Sequence, residues 1–226
     1  MTPADKPLAL TLGDPAGIGP DITLLAFEAR RAASTPPFVL LGDPAVLTER
    51  ASVLGLAVRI EPIADIAAAS SVFADALPVL PLQVARTVVA GRADPANAAI
   101  VQQSIERSVA LVRSGAASAV VTNPISKATL ASAGFGFPGH TEFLAALAGR
   151  EASDAVMMLV GEGLKVVPVT IHMPLKDVLG ALSTERILKT LEITAPYVAR
   201  YFGLARPCIA VTGLNPHAGE DGIMAV

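Results

Sequence analysis

Cysteine is almost missing from this chain: there is one in 226 residues, with no tryptophan and only three histidines. A single cysteine excludes a disulfide framework and any zinc knuckle built on paired CxxC motifs. Charge is scarce too. Charged residues make up 16% of the chain, and 17 Lys+Arg against 20 Asp+Glu leave a formal net charge of −3. Without a basic block, the chain is not expected to bind nucleic acid by neutralising phosphates. Mean hydropathy is +0.56, yet no apolar run approaches the roughly 18–20 residues that span a bilayer. The N-terminus has an early acidic residue, Asp5, no basic region and no long apolar core, so no secretory signal is expected. What is abundant is apolar side chain, 52% of the total. That is ample for a buried core and excludes a disordered chain. A globular, cytoplasmic protein is expected.

Short apolar runs alternate with helical patterns, the signature of an α/β protein with a mainly parallel sheet flanked by helices. Strands are expected at 8–12, 38–41, 57–60, 119–122, 166–171 and 208–212. Their apolar residues run consecutively, as strands covered on both faces require. Cys208 lies inside the last run and is read as core. Asp94 and Pro95 open a helix whose stripe is Val101, Ile105, Val109 and Val112, ending at Gly115. Ser183 caps another, with Ile187, Leu188, Leu191, Ala195, Val198 and Phe202 inward, a bend expected at Pro196, and Gly203 as terminator. Thr141 caps a short helix over 142–148, closed by Gly149. The Ala-rich stretch 66–76 reads as a small helix or loop. No linker or repeat marks an internal domain boundary within residues 1–226.

Five of these strands lead into loops rich in Gly, Pro, Asn or His, and ligands of open α/β sheets bind at such carboxyl ends. Gly13-Asp14-Pro15-Ala16-Gly17-Ile18-Gly19 opens a helix but matches neither GxGxxG nor a P-loop. It reads equally as a tight turn or as an anion cradle. Gly139-His140-Thr141-Glu142 places an imidazole before a helix terminus, where both groups can meet a phosphate or carboxylate; the plainer reading is an ordinary helix start. His172 and His217 each lie at a strand end with a proline within two residues and can share Zn²⁺, Mn²⁺ or Co²⁺. Two ligands are too few for a catalytic metal, which leaves Asp14, Asp43 or Glu220 as further donors. Lys127 suits an anionic substrate or proton transfer, or is a solvated lysine in a helix capped by Ser126. No GxSxG elbow supports a hydrolase triad.

The stretches LTLGDPAGIGPDI, DPANAAIV (94–101), VVTNPISKATL (120–130), GFPGHTEFLA (136–145), VTIHMPLKDV (169–178) and GLNPHAGEDG (213–222) occur in order from end to end. In them the chain closely resembles the 4-hydroxythreonine-4-phosphate dehydrogenase family of vitamin B6 synthesis. The resemblance implies an isocitrate/isopropylmalate dehydrogenase-like α/β fold and a homodimer with its active site at the subunit interface. It also implies NAD and a divalent metal (Zn, Mg, Co or Mn). The implied reaction oxidises 4-phosphooxy-L-threonine to a β-keto acid, which decarboxylates to 3-amino-2-oxopropyl phosphate on the route to pyridoxal phosphate. His140 and Thr141 match substrate-binding residues of the family, and His172 and His217 match two of its three metal-ligand histidines. Lys127 is a candidate for proton transfer, with no general base assigned. Family members continue beyond GLNPHAGE, so the C-terminal part is expected to be missing here. The third ligand, further substrate contacts and most NAD contacts would lie in that part, and exposed edges and apolar surface are expected in its absence. The alternatives are a related dehydrogenase of erythronate or threonate 4-phosphate, and an incomplete chain that only binds a ligand or a partner subunit. A phosphate acyltransferase-like protein would leave the paired histidines without purpose.

Overall fold

The computed structural model describes residues 6–171 and 173–219. The chain divides into two compact units, one through Ala152 and the other from Ser153. Composition marks no boundary at that point.

The first unit runs β1 (Leu8–Thr11), α1 (Gly19–Glu28), β2 (Phe38–Gly42), α2 (Pro44–Leu54), β3 (Ile60–Pro62), α3 (Ala69–Val72), β4 (Leu77–Pro81), α4 (Ala98–Arg113), β5 (Val120–Val121), α5 (Lys127–Ser132) and α6 (His140–Leu147). Its five strands form one parallel sheet in the order β3-β4-β2-β1-β5. Every residue of β2 is buried, which is why its sequence is apolar without alternation. Leu12, Leu24, Leu40, Leu41, Leu47, Leu77 and Ile105 are fully buried around it, each worth about 2 kcal/mol in removed apolar surface. Val101, Ile105 and Val109 form the inward stripe of α4. Asp94 caps the 3₁₀ turn that precedes α4 by accepting from the Ala96 N–H at 2.9 Å. The register sets Thr11 beside Leu41, Gly42 beside Pro81, and Leu10 beside Val121. All carboxyl ends therefore open on one edge, where the loops gather.

The parallel sheet flanked by helices is as expected, with two differences here. The third strand lies at Ile60–Pro62, just past the expected run. A further strand, β4, sits between β2 and β3. Its sequence, LPVLP, carries two prolines, which lack an N–H and disguise a strand paired on both sides.

The second unit has an antiparallel hairpin, β6 (Leu159–Gly161) with β7 (Leu164–Val166), then α7 (Leu175–Ala181) and α8 (Thr184–Phe202). α8 begins at Ser183, whose hydroxyl accepts from the Arg186 N–H, and ends at Gly203 with φ 68°. Thr194 and Val198 are buried, whereas Leu188 and Phe202 are exposed, contrary to the inward placement expected for both. Leu188 lies about 100° around the helix from Ile187, at the margin of the apolar stripe. The Lys165 ammonium covers the Phe202 ring.

The strands expected at 166–171 and 208–212 do not form; only Val166 of these residues is in a strand. Cys208 is exposed rather than core. A strand exists through a neighbour that takes its backbone hydrogen bonds, and no described strand pairs with residues 167–171 or 208–212. Both instead line an apolar cleft of about 690 Å³ with Val178, Ile187, Leu191 and Val198. No described helix is long and apolar enough to cross a membrane.

Candidate functional site

At the carboxyl edge of the sheet, the strand-end loops are tied together by buried polar side chains. Asn123 follows β5 and is buried. Its backbone N–H donates to Thr11 Oγ1 at 3.0 Å, and its amide donates to the Thr11 carbonyl at 2.9 Å and to Thr23 Oγ1 at 2.8 Å. Thr23 in turn donates to the Gly19 carbonyl. Ser104 of α4 donates to the Leu41 carbonyl and accepts from the Leu12 N–H. Sequence reasoning placed Asn123 in a strand-end loop without a role and missed Thr11, Thr23 and Ser104. The available signal was weak: single polar residues, such as Thr11, interrupting apolar runs.

The glycine loop packs against the same point. A Cβ on Gly13 would meet the Pro124 carbonyl oxygen at 2.5 Å, and its φ is +71°. A Cβ on Gly19 would meet the Leu12 carbonyl oxygen at 2.5 Å. The loop is therefore a close-packed turn. Asp14 folds it by accepting from the Ala16 N–H, and Arg50 clamps it through Asp21 and the Gly17 carbonyl. Asp43 is occupied at both carboxylate oxygens, by the N–H groups of Ala45 and Val84. As an additional metal donor it would have to use the lone pairs those bonds leave. Glu220, the other acidic candidate, lies outside the described residues, as does His172.

Ser126 caps α5, accepting from the Thr129 N–H, and Lys127 is the first residue of that helix and exposed. α6 starts at His140 on the Gly139 N-cap, so Thr141 is its second residue and not its cap as expected. Gly139 offers no side chain to cap the helix, and Thr141 is exposed. Phe135, Phe137 and Phe143 pack mutually with ring centroids 5.0–5.5 Å apart, anchoring the loop and helix together. Phe143 is buried and half-buried His140 stands three residues before it. Among the described residues, His140 Nε2 is the buried side-chain nitrogen without a hydrogen-bond partner. Burial, and then the charge of Lys127, hold its pKa below the usual 6.5.

In the second unit, His217 is exposed in a compact turn, its N–H donating to Asn215 Oδ1 at 2.8 Å. Among the described residues, no three His, Cys, Asp or Glu side chains gather as a metal-binding group.

Residues 33–226 match the family model of the pyridoxal phosphate biosynthetic protein PdxA. The chain belongs to the PdxA family. A 4-hydroxythreonine-4-phosphate dehydrogenase of Methylorubrum extorquens is 51% identical over 231 residues, covering 99% of this chain and 65% of that protein. The solved 4-hydroxythreonine-4-phosphate dehydrogenase of Klebsiella pneumoniae is 31% identical with a TM-score of 0.87, covering 98% of this chain and 67% of its own. A terephthalate 1,2-cis-dihydrodiol dehydrogenase from Burkholderia xenovorans matches with a TM-score of 0.63 at 26% identity. The parallel sheet with flanking helices is thus the isocitrate/isopropylmalate dehydrogenase-like fold of the PdxA enzymes. The chain spans 65% of the length of the curated relatives it matches at about half identity.

The lowered pKa of His140 carries a stability consequence for this PdxA chain. The unfolded imidazole takes up its proton at higher pH than the folded one. Stability is therefore complete above 6.5 and falls as the pH drops from 6.5 to the folded pKa. Chemical melts at pH 7.5 and 5.5 should show a smaller loss at the lower pH for His140→Gln than for the parent chain. An equal loss would mean that His140 titrates as it does when unfolded.

Proposed function

We propose that this chain is the catalytic framework of an NAD- and divalent-metal-dependent 4-hydroxythreonine-4-phosphate dehydrogenase. The observation that carries the proposal is 51% identity across 99% of this chain to a protein of that name. In the reaction, the secondary alcohol of 4-phosphooxy-L-threonine loses hydride to NAD and a proton to a base, and the resulting β-keto acid loses CO₂. His140 and Thr141 bind the substrate, the first through the unpartnered Nε2 and the second, an exposed residue, through its hydroxyl. Both suit an anionic oxygen at the start of α6, where backbone N–H groups lack a side-chain cap. Lys127 supplies positive charge and is the candidate for moving the proton.

His172 and His217 would hold the metal. Imidazole is a donor that Zn²⁺, Mn²⁺ and Co²⁺ accept, and His217 stands exposed on a loop braced by its own turn, which fits that use. When bound, the metal supplies Lewis acidity toward the substrate hydroxyl and NAD supplies the hydride acceptor. The working unit is a homodimer with a shared site, in the cytoplasm.

Two other readings have specific support. The match to a dihydrodiol dehydrogenase links this fold to oxidation of hydroxyl substrates other than 4-phosphooxy-threonine, which keeps erythronate or threonate 4-phosphate as the alternative substrate. The other reading is a chain that binds ligand or partner without turnover, for which the unpartnered His140 Nε2 and the exposed Thr141 at the start of α6 suffice. NADH formation from 4-phosphooxy-threonine with each metal should be assayed in two proteins: the 226-residue chain, and a chimera extended with the remaining third of the Methylorubrum relative. Turnover by either, lost in His172→Ala and His217→Ala, is the expected result. Turnover by the chimera alone selects the binding-only reading for the chain. Turnover of erythronate 4-phosphate instead selects the other substrate, and no turnover by either protein sinks the dehydrogenase.

A further inference from the structure

The β6–β7 hairpin has two edges of opposite character. Among the described residues no third strand joins it, and no described backbone hydrogen bond reaches Leu159–Gly161 from outside the hairpin. Alone, a two-stranded hairpin is marginal in water. Its loop is two residues, Glu162 and Gly163, with Gly163 at φ +76°. A loop of that length makes the flanking pair, Gly161 and Leu164, the hydrogen-bonded one, and pairs alternate along an antiparallel ladder. Val160 and Lys165 are therefore the pair whose N–H and C=O groups point outward, one residue on each edge.

On the β7 edge that residue is a lysine, its ammonium 4.5 Å from the centre of the Phe202 ring, and Pro168 follows two residues past the strand. Lysine and proline are the residues with which natural sheets close an edge. The β6 edge has neither. Val160 is 59% exposed and Leu159 57%, and the run 155–161, AVMMLVG, carries no charge.

We propose that the β6 edge receives a second copy of this chain, paired antiparallel across a two-fold axis at Val160. The Val160 N–H of each copy then donates to the Val160 carbonyl of the other, and Leu159 stands opposite Gly161. The contact is isologous, so it closes on itself. The four strands, in the order β7-β6-β6-β7, present only lysine-bearing edges to solvent. The same operation on β7 would set two Lys165 side chains directly opposite each other, which destabilises a ladder. A three-residue ladder falls short of the about 800 Å² per partner that a standard interface buries. Leu164 and Val166 of the hairpin also line the apolar cleft, whose walls supply further apolar area beside the ladder. The proposal rests on the homodimer of the reading above and names the surface that forms it.

Sedimentation velocity on the 226-residue chain tests it, with the parent expected to be a dimer. Val160→Lys and Val160→Glu should each weaken that dimer by about tenfold or more, two like charges being directly opposed. An equimolar mixture of the two should restore it, because position 160 meets itself across the axis. Val53→Lys, at a 75% exposed position of α2 in the first unit, should leave the dimer unchanged. A monomeric parent, a dimer indifferent to both Val160 substitutions, or a mixture that stays monomeric would each overturn the proposal. So would a chimera whose dimer ignores Val160→Lys, since its added third would then cover the edge. NADH formation by the chimera reads the dehydrogenase separately. Turnover with a Val160-indifferent dimer sinks this interface alone, and a Val160-dependent dimer without turnover sinks the enzyme reading alone.

Discussion

Gly13→Ala should destabilise the first unit by about 4 kcal/mol, close to the extreme for a single substitution. Two effects combine. At φ +71° an alanine pays about 1–2 kcal/mol for the left-handed backbone. The new methyl must also displace the Pro124 carbonyl oxygen, 2.5 Å away, and Asn123 Cβ, 2.8 Å away. Both obstacles belong to a loop already pinned by hydrogen bonds, so neither can yield cheaply. Gly55 provides the control. It has φ +67° at the end of α2, with nothing within 4 Å of a built Cβ. Gly55→Ala should therefore cost only the backbone share, about 1 kcal/mol. Urea melts of the two variants isolate the close approach as their difference. Equal costs would show that the Gly13 loop can open without loss, and the rigid carboxyl edge described above would be wrong.

Asn123→Leu should cost about 3 kcal/mol, although leucine is similar in size. The Thr11 carbonyl and Thr23 Oγ1 each lose a donor in a place where water cannot replace it, and a buried group left unpaired costs about 1–3 kcal/mol. Thr23→Val should then cost less in the Asn123→Leu background than alone, because one of its hydrogen bonds is already gone. Additive costs in such a cycle would contradict the network. The loop carrying Ser126 and Lys127 begins at Asn123, so activity of the chimera should fall in this variant more than its residual folded fraction explains.

Patterns set by local geometry were legible from the residues. Asp94, Ser126 and Ser183 mark turn and helix starts, because a short side-chain oxygen can satisfy an orphan N–H only at such a point. Gly203 marks a helix end through its left-handed backbone. The apolar runs of β1 and β2 announced strands covered on both sides, whereas Val121 of the equally apolar edge strand β5 is exposed. Thr141 misled because a threonine before Glu142 looks like a cap, while the helix actually starts from Gly139, which has no side chain to show it.

By itself the sequence determined the α/β class and the family, through motifs spread along the whole chain, and it directed attention to the strand-end loops. Tertiary structure decided what depends on neighbours. It placed proline-rich β4 between two other strands, denied strand structure to residues 208–212, and turned Cys208 outward. It committed both oxygens of Asp43 to backbone N–H groups, and it left His140 Nε2 buried without a partner beside Lys127. The physical reason is one of range. Helix caps and hydrophobic periodicity act within a turn or two of chain, whereas strand pairing, burial and the electrostatic surroundings of an imidazole are set by residues distant in sequence.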